Sequence, residues 1–152
     1  MKKSFKYFLF LLLLIIAVFT DSKGNRFSLS FLLCVSFLLY KKSDAALIIC
    51  AFLGLFRDFL FLSLPYFSLI YLYISVGCVW CCEMFLGITS KRIALITFCA
   101  HILYFVCCYL INAVFNADVF IEFKDIIYST LSSILAGALS PLIFICFKRL
   151  KF

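Results

Sequence analysis

Arg57 and Asp58 stand deep inside an apolar run, AALIICAFLGLFRDFLFLSLPY from Ala45 to Tyr66. An ionisable side chain at the centre of a membrane helix costs about 2.5–3.5 kcal/mol on insertion scales, so a chain that keeps two has a use for them. Three uses fit these residue types: an ion pair that fixes helix packing, a relay for protons or ions, and a partner-binding site. Helical spacing puts Gly54 and Asp58 on one face, four residues apart, and turns Arg57 about 100° away from Asp58. The two charges therefore cannot meet on their own helix. Arg57 is expected to snorkel outward or to meet an acid from an outer link, with Asp118 and Glu122 as the candidates.

The other chemically active side chains form weaker patterns. His101 is the only histidine and has no acid or second ligand at helical spacing, which argues against a metal site or a proton relay. Cys78, Cys81 and Cys82 contain a CxxC, but on an apolar helix with no strand–helix–strand context this spacing reads as packing. All nine cysteines fall in apolar runs, where cysteine behaves as a small hydrophobe. Glu83 is placed to solvate a helix end. No nucleophile, base and orienting group come together, and there is no glycine-rich phosphate loop. The expectation is a protein that is not an enzyme and uses no cofactor or metal.

The elements that must carry these residues follow from the solvent. Of the 152 residues, 67% are hydrophobic, and the mean hydropathy is +1.22. Soluble domains are about 45–50% apolar, so most of this chain is expected in lipid. Period-two alternation is missing, and backbone groups in hydrocarbon must be satisfied within the segment, so the runs are helices. The reading is all-α: a polytopic membrane bundle of about six transmembrane helices in a single domain.

The spans fall at 5–20, 27–40, 45–64, 66–86, 93–115 and 126–147. The first resembles a signal peptide, but Ala17, Val18, Phe19 and Thr20 offer no small-x-small cleavage site, so it is read as retained. The second, Phe27 to Tyr40, reaches only about 21 Å at 1.5 Å per residue. It is expected to snorkel through Arg26, Lys41 and Lys42 or to thin the bilayer. Ser43 and Asp44 are placed to cap the third span, and Leu64 with Pro65 marks a reversal. Asn116 to Lys124 reads as a polar link.

The net charge of +7 is a topology signal, because no soluble segment is large enough to present a nucleic-acid-binding face. With the N-terminus in the cytoplasm, Lys2, Lys3, Lys6, Lys41, Lys42, Lys91, Arg92, Lys148, Arg149 and Lys151 lie inside. Lys23, Arg26 and Lys124 lie outside. This imbalance places both termini in the cytoplasm of a multi-pass protein.

The last span carries two rows of small residues, Ser129, Ser133 and Gly137 beside Ser132, Ala136 and Ser140, which let helix backbones approach closely in lipid. Pro141 cannot donate to the carbonyl of Gly137 and is expected to kink the helix there. The rows serve either packing within the chain or docking of another membrane protein.

Two segments carry a family resemblance. AFLGLFRDFLFLSLPY, from Ala51 to Tyr66, resembles the GxxxD segment of the rod shape-determining protein MreD family, with Gly54 and Asp58 at its two recognisable positions. AGALSPLIFICFKRLKF, from Ala136 to Phe152, is similar to that family's closing helix, with Gly137 and Pro141 ahead of a basic tail. The chain departs from the family at Leu62, Ser63, Leu64, Pro65 and Tyr66, where glycines are usual, and at Arg57. The resemblance implies a scaffold of the bacterial inner membrane that serves cell elongation. Its partner would be an MreC-like bitopic protein, linked in turn to MreB-like filaments and peptidoglycan synthases. It also implies a fold similar to the substrate-binding membrane subunit of energy-coupling-factor vitamin transporters. A transport subunit of that kind is the alternative reading, although a ligand pocket needs several converging polar groups. The chain has no glutamine and only Asn25, Asn112 and Asn116 as asparagines.

Overall fold

Long apolar runs that must satisfy their backbone groups within the segment make helices, and the links between them set where each one starts. The computed structural model describes residues 3–22, 28–41, 44–60, 66–84, 89–115 and 122–150. It contains α1 (Lys3–Ser22), α2 (Leu29–Lys41), α3 (Asp44–Leu60), α4 (Tyr66–Met84), α5 (Ser90–Phe115) and α6 (Phe123–Leu150). Each expected span coincides with one helix. The reversal at Leu64 and Pro65 and the capping side chains of Ser43 and Asp44 lie outside the described residues and side chains.

Helices α5 and α6 each start three residues before the expected position, for capping reasons. Helix α5 begins at Ser90 because Thr89 acts as its N-cap: Thr89 Oγ1 accepts the Arg92 N–H at 3.4 Å, and the Thr89 carbonyl accepts the Ile93 N–H at 3.0 Å. Helix α6 begins at Phe123, inside the expected polar link. There the Asp125 carboxylate reaches back to accept the Glu122 N–H at 3.3 Å, which is one half of a capping box.

The shortest helix is the centre of the bundle. Helix α2 touches each of the other five helices, and Ser30, Phe31, Leu32, Cys34, Val35, Ser36, Phe37, Leu38 and Leu39 are all buried. A helix apolar on every side is at home inside a core. The expected snorkelling or bilayer thinning at the second span is therefore unnecessary, since α2 meets protein on all sides. Phe31 stacks on Tyr104 of α5 with ring centroids 4.7 Å apart. At the opposite end, Phe37 meets Phe10 of α1 at 4.4 Å and Phe147 of α6 at 5.7 Å.

These contacts bring the start of α1, the end of α2 and the end of α6 to one end of the bundle, so consecutive helices alternate in direction. Lys41, Lys148 and Arg149 accordingly share that end. The outer surface is apolar: Phe8, Phe52, Phe59, Val114 and Phe123 are all exposed. Three helical stretches, Tyr66–Met84, Ser90–Ile111 and Phe123–Arg149, are long and apolar enough to cross a membrane. An apolar exterior on such helices is the inverse of a soluble surface and describes a membrane-embedded helical bundle.

The α5–α6 seam uses the small residues. Ser133, Ala136, Gly137 and Ser140 are buried, at positions i, i+3, i+4 and i+7, so the seam crosses both rows read from the sequence instead of following one. A Cβ on Gly137 would lie 3.0 Å from the Ala94 carbonyl and 3.1 Å from Phe98 Cβ. At Pro141 the helix continues, and the Ser140 hydroxyl donates to the Gly137 carbonyl at 3.1 Å, the acceptor that proline leaves without its usual N–H.

Candidate functional site

The charged groups of the interior gather at the end opposite Lys41 and Arg149, where α1 and α3 finish and α2 and α4 begin. Arg57, Asp58 and Asp21 are all buried, with 8%, 5% and 4% of their surface exposed.

Asp21 closes the α1–α2 hairpin. The first N–H groups of a helix have no partner within it, and those of α2 are met by this carboxylate. Oδ1 accepts the Leu29 N–H at 2.9 Å and Oδ2 the Ser30 N–H at 3.1 Å. The hydroxyls of Ser28 and Ser30 donate to the same Oδ2 at 3.0 and 2.5 Å.

Arg57 enters from α3. Its Nη1 donates to Ser28 Oγ at 3.1 Å and to the Tyr71 hydroxyl at 3.3 Å, and stands 3.8 Å from Asp21 Oδ2. The guanidinium lies over the Phe67 ring at 4.3 Å, a favourable place for a desolvated cation. Tyr71 of α4 completes the network at 2.8 Å from Ser30 Oγ. A carboxylate only accepts and a guanidinium only donates, which orients the hydroxyls between them. Arg57 donates to Tyr71, Tyr71 to Ser30, and Ser30 to Asp21. The ordered chain ties α1, α2, α3 and α4 together.

The partner expected for Arg57 is thus corrected: it meets Asp21 and neither snorkels outward nor pairs with Glu122. Glu122 forms an exposed pair with Lys124 at 2.5 Å, of a kind worth little to stability. Asp118 lies outside the described residues. Arg57 needed a desolvated acid, and the α1 terminus supplies one closer to its own depth.

Gly54 and Asp58 act together, as their spacing requires, but toward the adjoining helix. Asp58 Oδ1 accepts the Phe67 N–H at 2.9 Å and Oδ2 the Ser68 N–H at 2.9 Å, so Asp58 caps α4 from α3. The residue preceding α4 is Pro65, whose side chain has no acceptor. One turn earlier, Gly54 allows the two backbones to approach: a Cβ there would stand 2.8 Å from Ser68 N and 2.9 Å from the Phe67 carbonyl. The glycine sets the separation at which the carboxylate reaches the cap. Gly137 and Pro141 lie away from this cluster, on the α5–α6 seam.

His101 and Tyr104 of α5 form an aromatic wall beside the cluster. The His101 ring lies 5.1 Å from Phe31, and Tyr104 lies 5.7 Å from the Arg57 guanidinium. Cys78 and Cys82 are buried and Cys81 is half-buried, all as free thiols. Among the described residues no three of histidine, cysteine, aspartate and glutamate are arranged to hold a metal ion.

Sequence reasoning missed Asp21, Ser28, Ser30 and Tyr71 as site residues. A findable signal was Asp21 a few residues ahead of the Ser28-Leu29-Ser30 helix start, a spacing that Asp58 repeats ahead of Phe67 and Ser68. The chain matches no protein-family model, no curated protein and no solved structure.

Proposed function

We propose that this chain is a non-enzymatic scaffold of the bacterial inner membrane, an MreD-like component of the cell-elongation machinery. It crosses the membrane six times with both termini in the cytoplasm and binds an MreC-type bitopic partner. Through that partner it is coupled to MreB-like filaments and lateral peptidoglycan synthesis.

The observation that carries this reading is the use of the interior polar groups. Asp21, Asp58, Arg57 and Tyr71 are all engaged with helix ends and with one another, an arrangement suited to rigidity. The two positions of the GxxxD resemblance, Gly54 and Asp58, are also the two that define the α3–α4 hairpin. The clustering of Lys41, Lys148 and Arg149 at one end agrees with an inward-facing basic end.

Depletion in a rod-shaped host tests the proposal, together with affinity purification of the full chain from membranes. Rounded cells and recovery of an MreC-like protein are expected, with a carboxyl-terminal reporter active in the cytoplasm. Recovery of an ATPase module with a vitamin-uptake defect and normal shape would replace the scaffold by a transport subunit.

A further inference from the structure

The contact that closes the α5–α6 seam also sets the register of the two helices. A Cβ on Gly137 would lie 3.1 Å from Phe98 Cβ, so the two residues face each other at one level. Lys91 precedes Phe98 by seven residues, and Lys148 follows Gly137 by eleven. Both spacings return to within about 20° of the same helix face. Because α5 and α6 run in opposite directions, the two lysines stand over one seam, at the end of the bundle that Lys41 marks.

The pair forms a step. Lys148 stands four residues further from the contact than Lys91, roughly 6 Å along the axis at 1.5 Å per residue. A Cα–Cβ bond tilts toward the N-terminus of its own helix, which sends the Lys91 stem outward and the Lys148 stem back inward. The two stems therefore set off toward each other.

Nothing within the chain neutralises them. Both lysines are exposed, and neither has an acid or a hydrogen-bond partner among the described residues. Lys41, Arg92 and Arg149 share this end, against Glu83 alone among the described acidic side chains. The other described cations are matched: Arg57 lies against Asp21, and Lys124 pairs with Glu122. Beneath Lys91 the seam is flanked by Leu95 of α5 and Ile134 of α6, 58% and 55% exposed. Unmatched positive charge thus passes directly into apolar surface.

We infer that the Lys91–Lys148 step is a docking site for an anionic phospholipid, with the phosphate between the two ammonium groups and an acyl chain against Leu95 and Ile134. Charge complementarity selects this occupant, since basic residues at a bilayer surface attract anionic lipid. A second copy of the chain would bring its own unmatched cations to the same place. A zwitterionic phospholipid cancels its phosphate with its own amine. An acidic face of a soluble protein would meet the charges but leave Leu95 and Ile134 uncovered, whereas an amphiphile meets both. The inference requires only a membrane-embedded bundle, so it holds for a scaffold and for a transport subunit alike.

The test reconstitutes the full chain in phosphatidylcholine vesicles and exchanges part of that lipid for phosphatidylglycerol brominated in its acyl chains, which quenches tryptophan on contact. Leu95→Trp in a Trp80→Phe chain reports on the step. Tyr128→Trp in the same background reports on the opposite end. At the step, phosphatidylglycerol should be preferred about fivefold over phosphatidylcholine, equivalent to roughly 1 kcal/mol. Lys91→Gln combined with Lys148→Gln should reduce the preference to that of the Tyr128 position, and Lys→Arg at both should keep it. In the unsubstituted step, 1 M salt should also remove most of it, since the Debye length there is about 3 Å.

Equal preference at the two reporters, or a preference at the step untouched by the glutamine pair or by salt, would overturn the inference, because the lipid would then be gathered without these lysines. So would a chain that shows no lipid preference yet binds soluble poly-glutamate in phosphatidylcholine vesicles, which would make this end a contact for an acidic protein.

Discussion

The α3–α4 hairpin yields the sharpest quantitative test, because Gly54 and Asp58 should fail together. Asp58→Ala removes two hydrogen bonds of 2.9 Å and strands two N–H donors in the first turn of α4. Each buried donor left without a partner costs about 1–3 kcal/mol, which gives about 2–6 kcal/mol for the pair. Water reaching the helix end lowers the figure toward the about 0.5–2 kcal/mol typical of a lost cap. We expect a loss of about 3 kcal/mol for alanine and about half that for Asp58→Asn, which keeps one acceptor oxygen.

Gly54→Ala inserts a methyl group where Ser68 N would be 2.8 Å away. Overpacking of this kind costs about 1–3 kcal/mol, and it pushes α4 off the carboxylate. The double variant should then be less destabilised than the two singles added together, by at least about 1 kcal/mol. Trp80 is the only tryptophan and lies on α4, so its fluorescence during denaturation from mixed micelles reports on the helix in question. Additivity within about 0.5 kcal/mol, or an Asp58→Ala chain as stable as the parent, would refute the coupling of separation to capping.

The remaining predictions use the same unfolding assay. Asp21→Ala leaves the Arg57 charge buried without its acid, so adding Arg57→Met should restore about 1–2 kcal/mol, since an unmatched buried ion is worse than an apolar residue of similar volume. Ser140→Ala should cost about 1 kcal/mol in the parent and less in a Pro141→Ala background, where residue 141 again donates to the Gly137 carbonyl. Gly137→Leu should separate α5 from α6 and lower the thermal midpoint, whereas Gly77→Ala, whose Cβ meets nothing within 4 Å, should not lower it. At matched membrane levels, Asp58→Ala should reduce recovery of the partner more than Glu83→Ala, which alters only an exposed side chain.

Much of this architecture was legible in the chain because lipid imposes a strict rule: an apolar run long enough to matter must be a helix. The six helices, the shared face of Gly54 and Asp58, and the orphaned Gly137 carbonyl all follow from spacing. Centrality did not. The α2 sequence is apolar on every side, and hydrocarbon and protein interior demand the same residues of it, so composition could not tell a lipid-facing helix from an enclosed one. The Arg57 partner was hidden for a related reason, since helical spacing fixes which residues of one helix share a face but not which helix lies opposite. Thr89 and Asp125 set helix starts through side-chain capping of a few N–H groups, a local signal that hydropathy smooths away.

The two caps reveal a repeated device. Asp21 stands in the last turn of α1 and caps α2, and Asp58 stands in the last turns of α3 and caps α4, each about nine residues before the N–H groups it serves. The first-turn donors of a helix have no partner within it, and Pro65 supplies no acceptor ahead of α4. Drawing the carboxylate from the preceding helix satisfies the donors and fixes the angle of the hairpin at once. Both caps then bring negative charge to the same end of the bundle, where a single cation placed between the hairpins can join them. Arg57 follows this logic: it shares a helix with one cap, bonds Ser28 at the start of α2 and Tyr71 of α4, and lies against the other cap's carboxylate. Its depth in the apolar run is therefore a consequence of where two hairpins meet, and replacing it should loosen one hairpin against the other while leaving each internally capped.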